Sequence, residues 1–437
     1  MRLGTAREMI TPEIGGNLYG YRPDVYSTSK EDDLTAIAFY FETEETQVLW
    51  LSLTVCLINT ALSDSIRRRL AEECGVPFEN IMLSATHTHS GPNTAGSYGW
   101  GDIDRAYCDN VFIPAILKVA KAAMTSPVEA EMGIGTGHSE IGVNRREILE
   151  NGTKVDLGQN PWGCYDPKMT VISFRDREKK PLANLVHYGM HGTCAGMSEA
   201  ISRDWSGVMC DTLEKTSGAL TAFVTGPEGD VGPRLSNGKT VGYGDVAYIY
   251  EIGHRAASDA VNIYKGIRVY HPVTRLAAAE KTLTIPLAPR FTEAFAKETL
   301  VALEGKTVNI QGAKRRCLER VIESYHNGYE EKQSITVPHN FLVLDDVAVV
   351  SFPYELFSEM GLRIAKFSPF AHTLSLSCTN GSESYFVTEP EICRGGYEVN
   401  SFLYRDIQAM VSDADRHLVN QTLTGLRALY ENRGREE

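Results

Sequence analysis

Apolar and polar positions along the chain change period repeatedly, from short continuous apolar runs to helical spacing and back. Ala36–Phe41 and Gln47–Leu53 are apolar runs of strand length separated by a Glu-rich turn, and Ile81–Thr86 is a shorter one. Thr60–Cys74 carries Leu62, Ile66 and Leu70 at four-residue spacing and is followed by Gly75, the pattern of a helix with a C-terminal cap. Further strands are predicted at Met169–Phe174, Leu182–Tyr188, Leu220–Val224 and Val347–Phe352, and long helices at Asp245–Tyr264 and Phe402–Tyr430. The charged stretch Phe291–Lys332 reads as a surface helical hairpin in preference to a lid. This alternation predicts an α/β fold, with mixed β-sheets flanked by helices. No repeat, low-complexity linker or Pro/Gly/Ser-rich hinge divides the 437 residues, so one large domain over 1–437 is expected.

Composition narrows the partners. The chain is 43% hydrophobic, enough for a large core, and carries a net charge of -13. An acidic surface suits neither a nucleic-acid backbone nor an anionic lipid surface. The basic runs Arg67-Arg68-Arg69 and Lys314-Arg315-Arg316 fall in helical patterns and read as solvated faces. The N-terminus has no apolar leader, and no run is long enough to span a bilayer; a cytoplasmic protein with no membrane partner is expected. Nine cysteines without a C-x-x-C pair read as reduced, mostly buried thiols.

Five segments carry candidate chemistry. His87 and His89, in Ala85-Thr86-His87-Thr88-His89-Ser90-Gly91-Pro92, are two apart at a strand end and so share a face. A bare His-x-His is also compatible with two loop histidines. His191 opens a Gly/Thr loop after the next strand, whereas His187 lies inside that strand and reads as a core histidine. Asp204 is placed to orient a ligand. The loop Thr225-Gly226-Pro227-Glu228-Gly229-Asp230-Val231-Gly232-Pro233 fits no phosphate-binding pattern but can bring backbone close to a substrate. Glu355 is expected at the N-terminus of a helix starting near Leu356, which favours its charged form. Tyr385 and Tyr397 sit in Gly/Ser-containing loops. Histidine, carboxylate and water together suit zinc.

Taken in order, these segments resemble the catalytic domain of the neutral, non-lysosomal ceramidases, from Gly20-Tyr21-Arg22 through Thr86-His87-Thr88-His89-Ser90-Gly91-Pro92 to Tyr385 and Tyr397. The resemblance implies a zinc ion held by His87, His191, Glu355 and Tyr385, with His89, Arg145 and Tyr397 around the scissile carbonyl. It implies hydrolysis of an amide (N-acyl) bond by zinc-activated water, with His89 carrying the proton and Arg145 and Tyr397 donating to the oxyanion. An esterase or lactonase on the same site, or a non-catalytic metal-containing ligand-binding protein, are the alternatives. Two departures bear on the substrate. The family loop reads Gly-Asp-Val-Ser-Pro, but Gly232 replaces that serine here. The signal peptide and C-terminal immunoglobulin-like domain of extracellular members are not expected in this chain. A small acylated amine is therefore favoured over membrane ceramide, with the oligomeric state left open.

Overall fold

A computed structural model describes residues 1–97, 100–149, 155–306, 309–328, 330–401 and 408–432. It shows two facing sheets with helices outside each. In the larger sheet the strand order is Leu220–Thr225, Pro181–Tyr188, Lys168–Asp176, Val128–His138, Arg2–Met9, Thr35–Glu42, Gln47–Leu53, Ile81–Ala85. Neighbours are antiparallel except at the two ends, where Pro181–Tyr188 runs parallel to Leu220–Thr225 and Gln47–Leu53 parallel to Ile81–Ala85. The smaller sheet orders Leu276–Pro286, Ser334–Leu344, Val347–Ser351 and His372–Leu376.

The period-two pattern explains the layering. On Thr35–Glu42, Ile37, Phe39 and Phe41 point to one face and pack with Leu342, Val349 and Leu374 of the smaller sheet. Ala36, Ala38 and Tyr40 point the other way, against helix residues such as Ile66, Leu70 and Ile116. Both faces are covered, which is why these strands read as unbroken apolar runs. The helices Asp204–Ser217 and Ala247–Gly266 cover another part of the larger sheet, and Ser358–Phe367 and Ala414–Glu431 cover the smaller one. Thr60–Cys74 forms where predicted, its start capped by the Asn59 side chain and its end by Gly75 in the left-handed region.

Two expectations change. The last long helix is Ala414–Glu431, not Phe402–Tyr430, and residues 402–407 lie outside the described residues. Arg67 is fully buried, donating to the Ile81 and Phe78 carbonyls and pairing with Glu280, so the Arg67–Arg69 run is not a uniformly solvated face. The stretch 291–332 holds the expected helical hairpin, Glu293–Val301 and Asn309–Asn327, inserted between two paired strands and with a small core of its own around Leu303, Leu318 and Val321.

The two edges of the larger sheet curl toward each other. The Ser52 hydroxyl donates to the Phe223 carbonyl at 2.6 Å and the Thr225 hydroxyl to the Ala85 carbonyl at 3.1 Å. The C-terminal ends of Ile81–Ala85, Pro181–Tyr188 and Leu220–Thr225 thus gather at one place, and the loops that follow them carry His87, His191 and Glu228.

His187 belongs to the core, as expected. Its Nε2–H donates to the Ser375 carbonyl at 2.9 Å, linking the two sheets. Burial pushes its pKa down to about 4 from the ordinary 6.5. The folded state therefore prefers the neutral ring, and the unfolded chain takes up a proton first as pH falls. The stability from this group is complete above pH 6.5 and is lost toward pH 4, a loss of about 3 kcal/mol. Chelator-treated protein should show a falling urea midpoint across that window, and His187→Gln a flatter one. Equal slopes would assign the acid sensitivity elsewhere, for example to His339, which burial also lowers to about 4.

Candidate metal centre

The strand Ile81–Ala85 stops before the histidines, and His87 takes a left-handed backbone with φ of 64°. The two imidazoles therefore do not share a strand face; the turn brings them together. The His87 N–H donates to the Val55 carbonyl, and its ring Nδ1 lies 2.9 Å from the Cys56 carbonyl oxygen. His191 is placed similarly. Its ring Nδ1 is 2.9 Å from the Glu228 carbonyl oxygen and 3.0 Å from that of Val231, while Trp205 Nε1 donates to the His191 carbonyl. Gly192 lets the two loops touch: a Cβ there would sit 2.8 Å from the His87 carbonyl oxygen.

Glu355 arrives differently from the expected helix start. It lies in a two-residue parallel pairing, Glu355 opposite Tyr385, and the adjoining helix begins at Ser358. The carboxylate at that helix start is Asp230, whose Oδ1 accepts from the Ser358 N–H and hydroxyl, both at 2.7 Å. Burial raises Asp230 to about 6. The Gly-rich loop approaches backbone, not substrate: a Cβ at Gly229 would sit 2.5 Å from the Glu355 carbonyl oxygen. One loop thereby fixes His191, Glu355 and, through the Asp230 carbonyl, the Arg145 backbone. Asp204 accepts from the N–H groups of Cys194, Ala195 and Trp205. It shapes the loop after His191 and is not hydrogen-bonded to a candidate ligand.

His87, His191 and Glu355 offer ligand atoms that all lie within 4.8 Å of one another, and all three residues are buried. Glu355 Oε2 is 3.4 Å from His87 Nε2 and 3.2 Å from His191 Nε2. A carbonyl oxygen can only accept, so each Nδ1 bears a ring proton and each Nε2 is the atom left to face the centre. His191 stays neutral, whereas burial alone would lower His87, but Cys378, Cys56 and Glu355 around it outweigh that and hold its pKa well above the ordinary value. The buried Glu355 Oε2 has no conventional hydrogen bond among the described residues. In the absence of an ion a proton on His87 balances the Glu355 charge; with that proton displaced, two imidazole nitrogens and a carboxylate oxygen face one another out of water, a donor set that fits a metal ion. Burial alone would raise the Glu355 carboxyl, but His87 and His191 outweigh it and hold it well below the usual range. His191 is lowered to about 3, first by burial and then by Arg145 and His87, so it stays a neutral ligand.

Tyr385 completes the predicted ligand set, its hydroxyl 3.4 Å from His191 Nε2. Arg145 Nη2 donates to the Tyr385 hydroxyl at 3.0 Å and to the Tyr397 hydroxyl at 2.5 Å, and the two hydroxyls are 3.0 Å apart. Burial raises both phenols, so both keep their protons. His89 Nε2 is 3.4 Å from His87 Nε2, and burial, then His87 and His191, lower its pKa well below the ordinary value. All seven residues singled out from sequence thus meet around one centre. A cavity of about 110 Å³ opens beside it, lined by Tyr19, Leu57 and Trp100 and by Ser97, Ser384 and Ser401. Sequence reasoning passes over Cys56, Cys378 and Glu228, which pack behind His87. Cys378 Sγ donates to Glu228 Oε1 at 3.2 Å. None has a local signature beyond its residue type.

Gly232 has a neighbour that explains it. A Cβ at 232 would lie 2.6 Å from Thr240 Cβ, so Thr240 fills the space a serine side chain would need.

Comparison with known proteins bears on the family and the fold. A family model described as "Neutral/alkaline non-lysosomal ceramidase, N-terminal" matches residues 2–245, which include His87, His89, Arg145 and His191. The neutral ceramidase of Pseudomonas aeruginosa is 23% identical over 251 residues, 52% of this chain and 36% of that protein. Neutral ceramidase A of Dictyostelium discoideum is 26% identical over 275 residues, 55% of this chain and 38% of that protein. The matched stretch therefore spans little more than a third of either relative. The crystal structure of the Pseudomonas aeruginosa neutral ceramidase superimposes with a TM-score of 0.72 at 19% identity, covering 98% of this chain and 74% of that one. A ceramidase complexed with C2 gives 0.75 at 18% identity, covering 99% and 75%. These two likenesses establish the fold, and the family model, which takes in more than half of the 437 residues, places the chain in the neutral/alkaline non-lysosomal ceramidase family.

Proposed function

We propose that the protein is a zinc-dependent amidohydrolase that cleaves the N-acyl bond of a small acylated amine. The observation that carries this reading is the meeting of two imidazole Nε2 atoms and a buried carboxylate with Arg145-held phenols beside one cavity. His87, His191, Glu355 and Tyr385 would hold the ion. Zinc in that place supplies Lewis-acid polarisation of a carbonyl and an acidified water.

The chain's own groups do the rest. Tyr397 O–H, oriented by the Arg145 guanidinium, donates to the carbonyl oxygen as charge develops there; one such donor is worth about 10²–10³ in rate. His89, neutral and facing the cavity, takes the proton of the attacking water and returns it to the leaving nitrogen. Tyr19, Leu57 and Trp100 exclude water from the acyl group. The departure at Gly232 does not break this route, since no step uses a hydroxyl at that position.

Size favours a short acyl group. A cavity of about 150 Å³ holds a benzene ring, and the cavity here is about 110 Å³. The test is an acyl series, acetyl to palmitoyl, on one amine with the zinc-loaded protein, alongside the matching esters. Amide cleavage that falls with chain length is expected. Tight binding without turnover of any amide or ester would replace the enzyme by a ligand-binding protein.

A further inference from the structure

We infer that Arg146, which touches none of the reacting groups, is a positioning residue that sets the Tyr397 hydroxyl by clasping the turn before it. The inference rests on the reading above, in which that hydroxyl meets the carbonyl oxygen. Arg145 and Arg146 are neighbours on the strand Gly142–Ile148, so their side chains leave on opposite faces. Arg145 enters the site. Arg146, only 2% exposed, turns to the back of the segment 391–398.

There its guanidinium is met on every edge. Nε donates to Glu391 Oε2 at 2.8 Å and Nη1 to Glu398 Oε2 at 2.6 Å, and Nη2 donates to the Gly395 carbonyl. The turn is shaped to this group. Gly395 and Gly396 have φ of 67° and 98°, and a Cβ on Gly396 would sit 2.8 Å from Arg146 Nη1. Tyr397 lies between the two glycines and Glu398. The second oxygen of Glu398, Oε1, is 3.4 Å from Arg145 Nε, so one carboxylate ties both arginines together. The next turn continues the tie: the Ser401 hydroxyl donates to the Glu398 carbonyl, and the Tyr385 N–H donates to that hydroxyl.

A buried ion pair of this kind adds little net stability, because desolvation offsets the attraction. What the planar fork adds is direction: several fixed donors define where the turn sits, which a lysine ammonium cannot reproduce. Displacing the turn moves the Tyr397 hydroxyl from Arg145, and misplacement by about 1 Å can cost 10²-fold in rate.

The experiment compares Arg146→Lys, which keeps the charge, and Glu391→Gln, which loosens the clasp from its more exposed end, with Tyr397→Phe and the Arg146→Lys/Tyr397→Phe pair. Hydrolysis of a short N-acyl amine and hydrogen exchange of the 391–401 peptide are followed together. Arg146→Lys should lower kcat about 10- to 10²-fold with KM little changed, and raise exchange in that peptide. Glu391→Gln should do the same more weakly. In the Tyr397→Phe background the Arg146→Lys effect should shrink to less than about twofold, because the target is gone. A full effect in that background overturns the proposal, since Arg146 then acts through something else. Unchanged exchange in both single variants overturns it too. That second arm needs no turnover: if the wild type cleaves no amide, the functional reading fails, and exchange still decides whether the clasp exists.

Discussion

Glu355→Gln is expected to lose bound zinc and hydrolysis together while keeping the fold. The substitution preserves volume and removes the one carboxylate of the proposed ligand set, whose Oε2 faces the His191 and His87 Nε2 atoms at 3.2 and 3.4 Å. Loss of an outer partner of a metal ligand already costs about 10–100-fold in affinity or activity, so loss of the carboxylate itself should exceed that. Zinc should also stabilise the wild type against heat. A ligand at 100 times its Kd adds about 2.7 kcal/mol, and the gain should vanish in Glu355→Gln. His191→Ala should behave the same way. Chelation should abolish wild-type activity and zinc should restore it. Metal content by mass spectrometry and melting curves with and without zinc read the result independently of turnover. If Glu355→Gln binds zinc as wild type does, His87, His191 and Glu355 are not the metal site.

How far sequence reaches depends on whether a feature is local. Thr60–Cys74 is legible to the residue, because Leu62, Ile66 and Leu70 and the Gly75 cap all lie within it or beside it. The strand Gln47–Leu53 is legible because both faces are buried and the apolar run is continuous. His87, His191 and Glu355 are legible as residue types after predicted strands, and the resemblance assigns them to one site. Their geometry is not. The left-handed turn at His87 replaces the simple strand-face argument, and Glu355 meets Tyr385 in a pairing two residues long that no periodicity announces. Asp230 caps a helix 128 residues away, so nothing near Ser358 in the chain reveals it, and Glu355 takes its place in any local reading. Arg67 shows the same limit from the other side. Its run of three arginines reads as solvated, yet at position 67 the helix turns inward and Glu280, far along the chain, supplies the partner. The glycines at 192 and 229 are visible in sequence, but only the loops they press against say why they are needed.

His89→Gln should keep the metal and lose amide hydrolysis, which separates His89 from the ligands. Its ring is boxed in: a Cβ at Gly20 would lie 2.5 Å from it, and the Tyr21 ring centroid is 4.9 Å away. Its Nδ1 is buried without a hydrogen-bond partner among the described residues. No backbone carbonyl fixes its tautomer as the carbonyls fix those of His87 and His191, so the proton is free to move between states. A general acid–base group of this kind contributes about 10²–10⁴, and amide cleavage should fall by that range. The size of the loss should depend on the leaving group. An amine departs only when protonated, whereas a nitrophenolate needs no proton, so a nitrophenyl ester of the same acid should lose far less. Glu355→Gln, which acts on the carbonyl and the water, should lower both substrates alike. The pH dependence carries a sign as well. Because burial, His87 and His191 lower His89 well below 6.5, its base form persists as pH falls through that value, and the amide rate should show no acid limb there. Zinc loss in His89→Gln as deep as in Glu355→Gln would make His89 a ligand and undo the division of roles. Equal losses on amide and nitrophenyl ester would leave the leaving nitrogen without its proton donor in this residue.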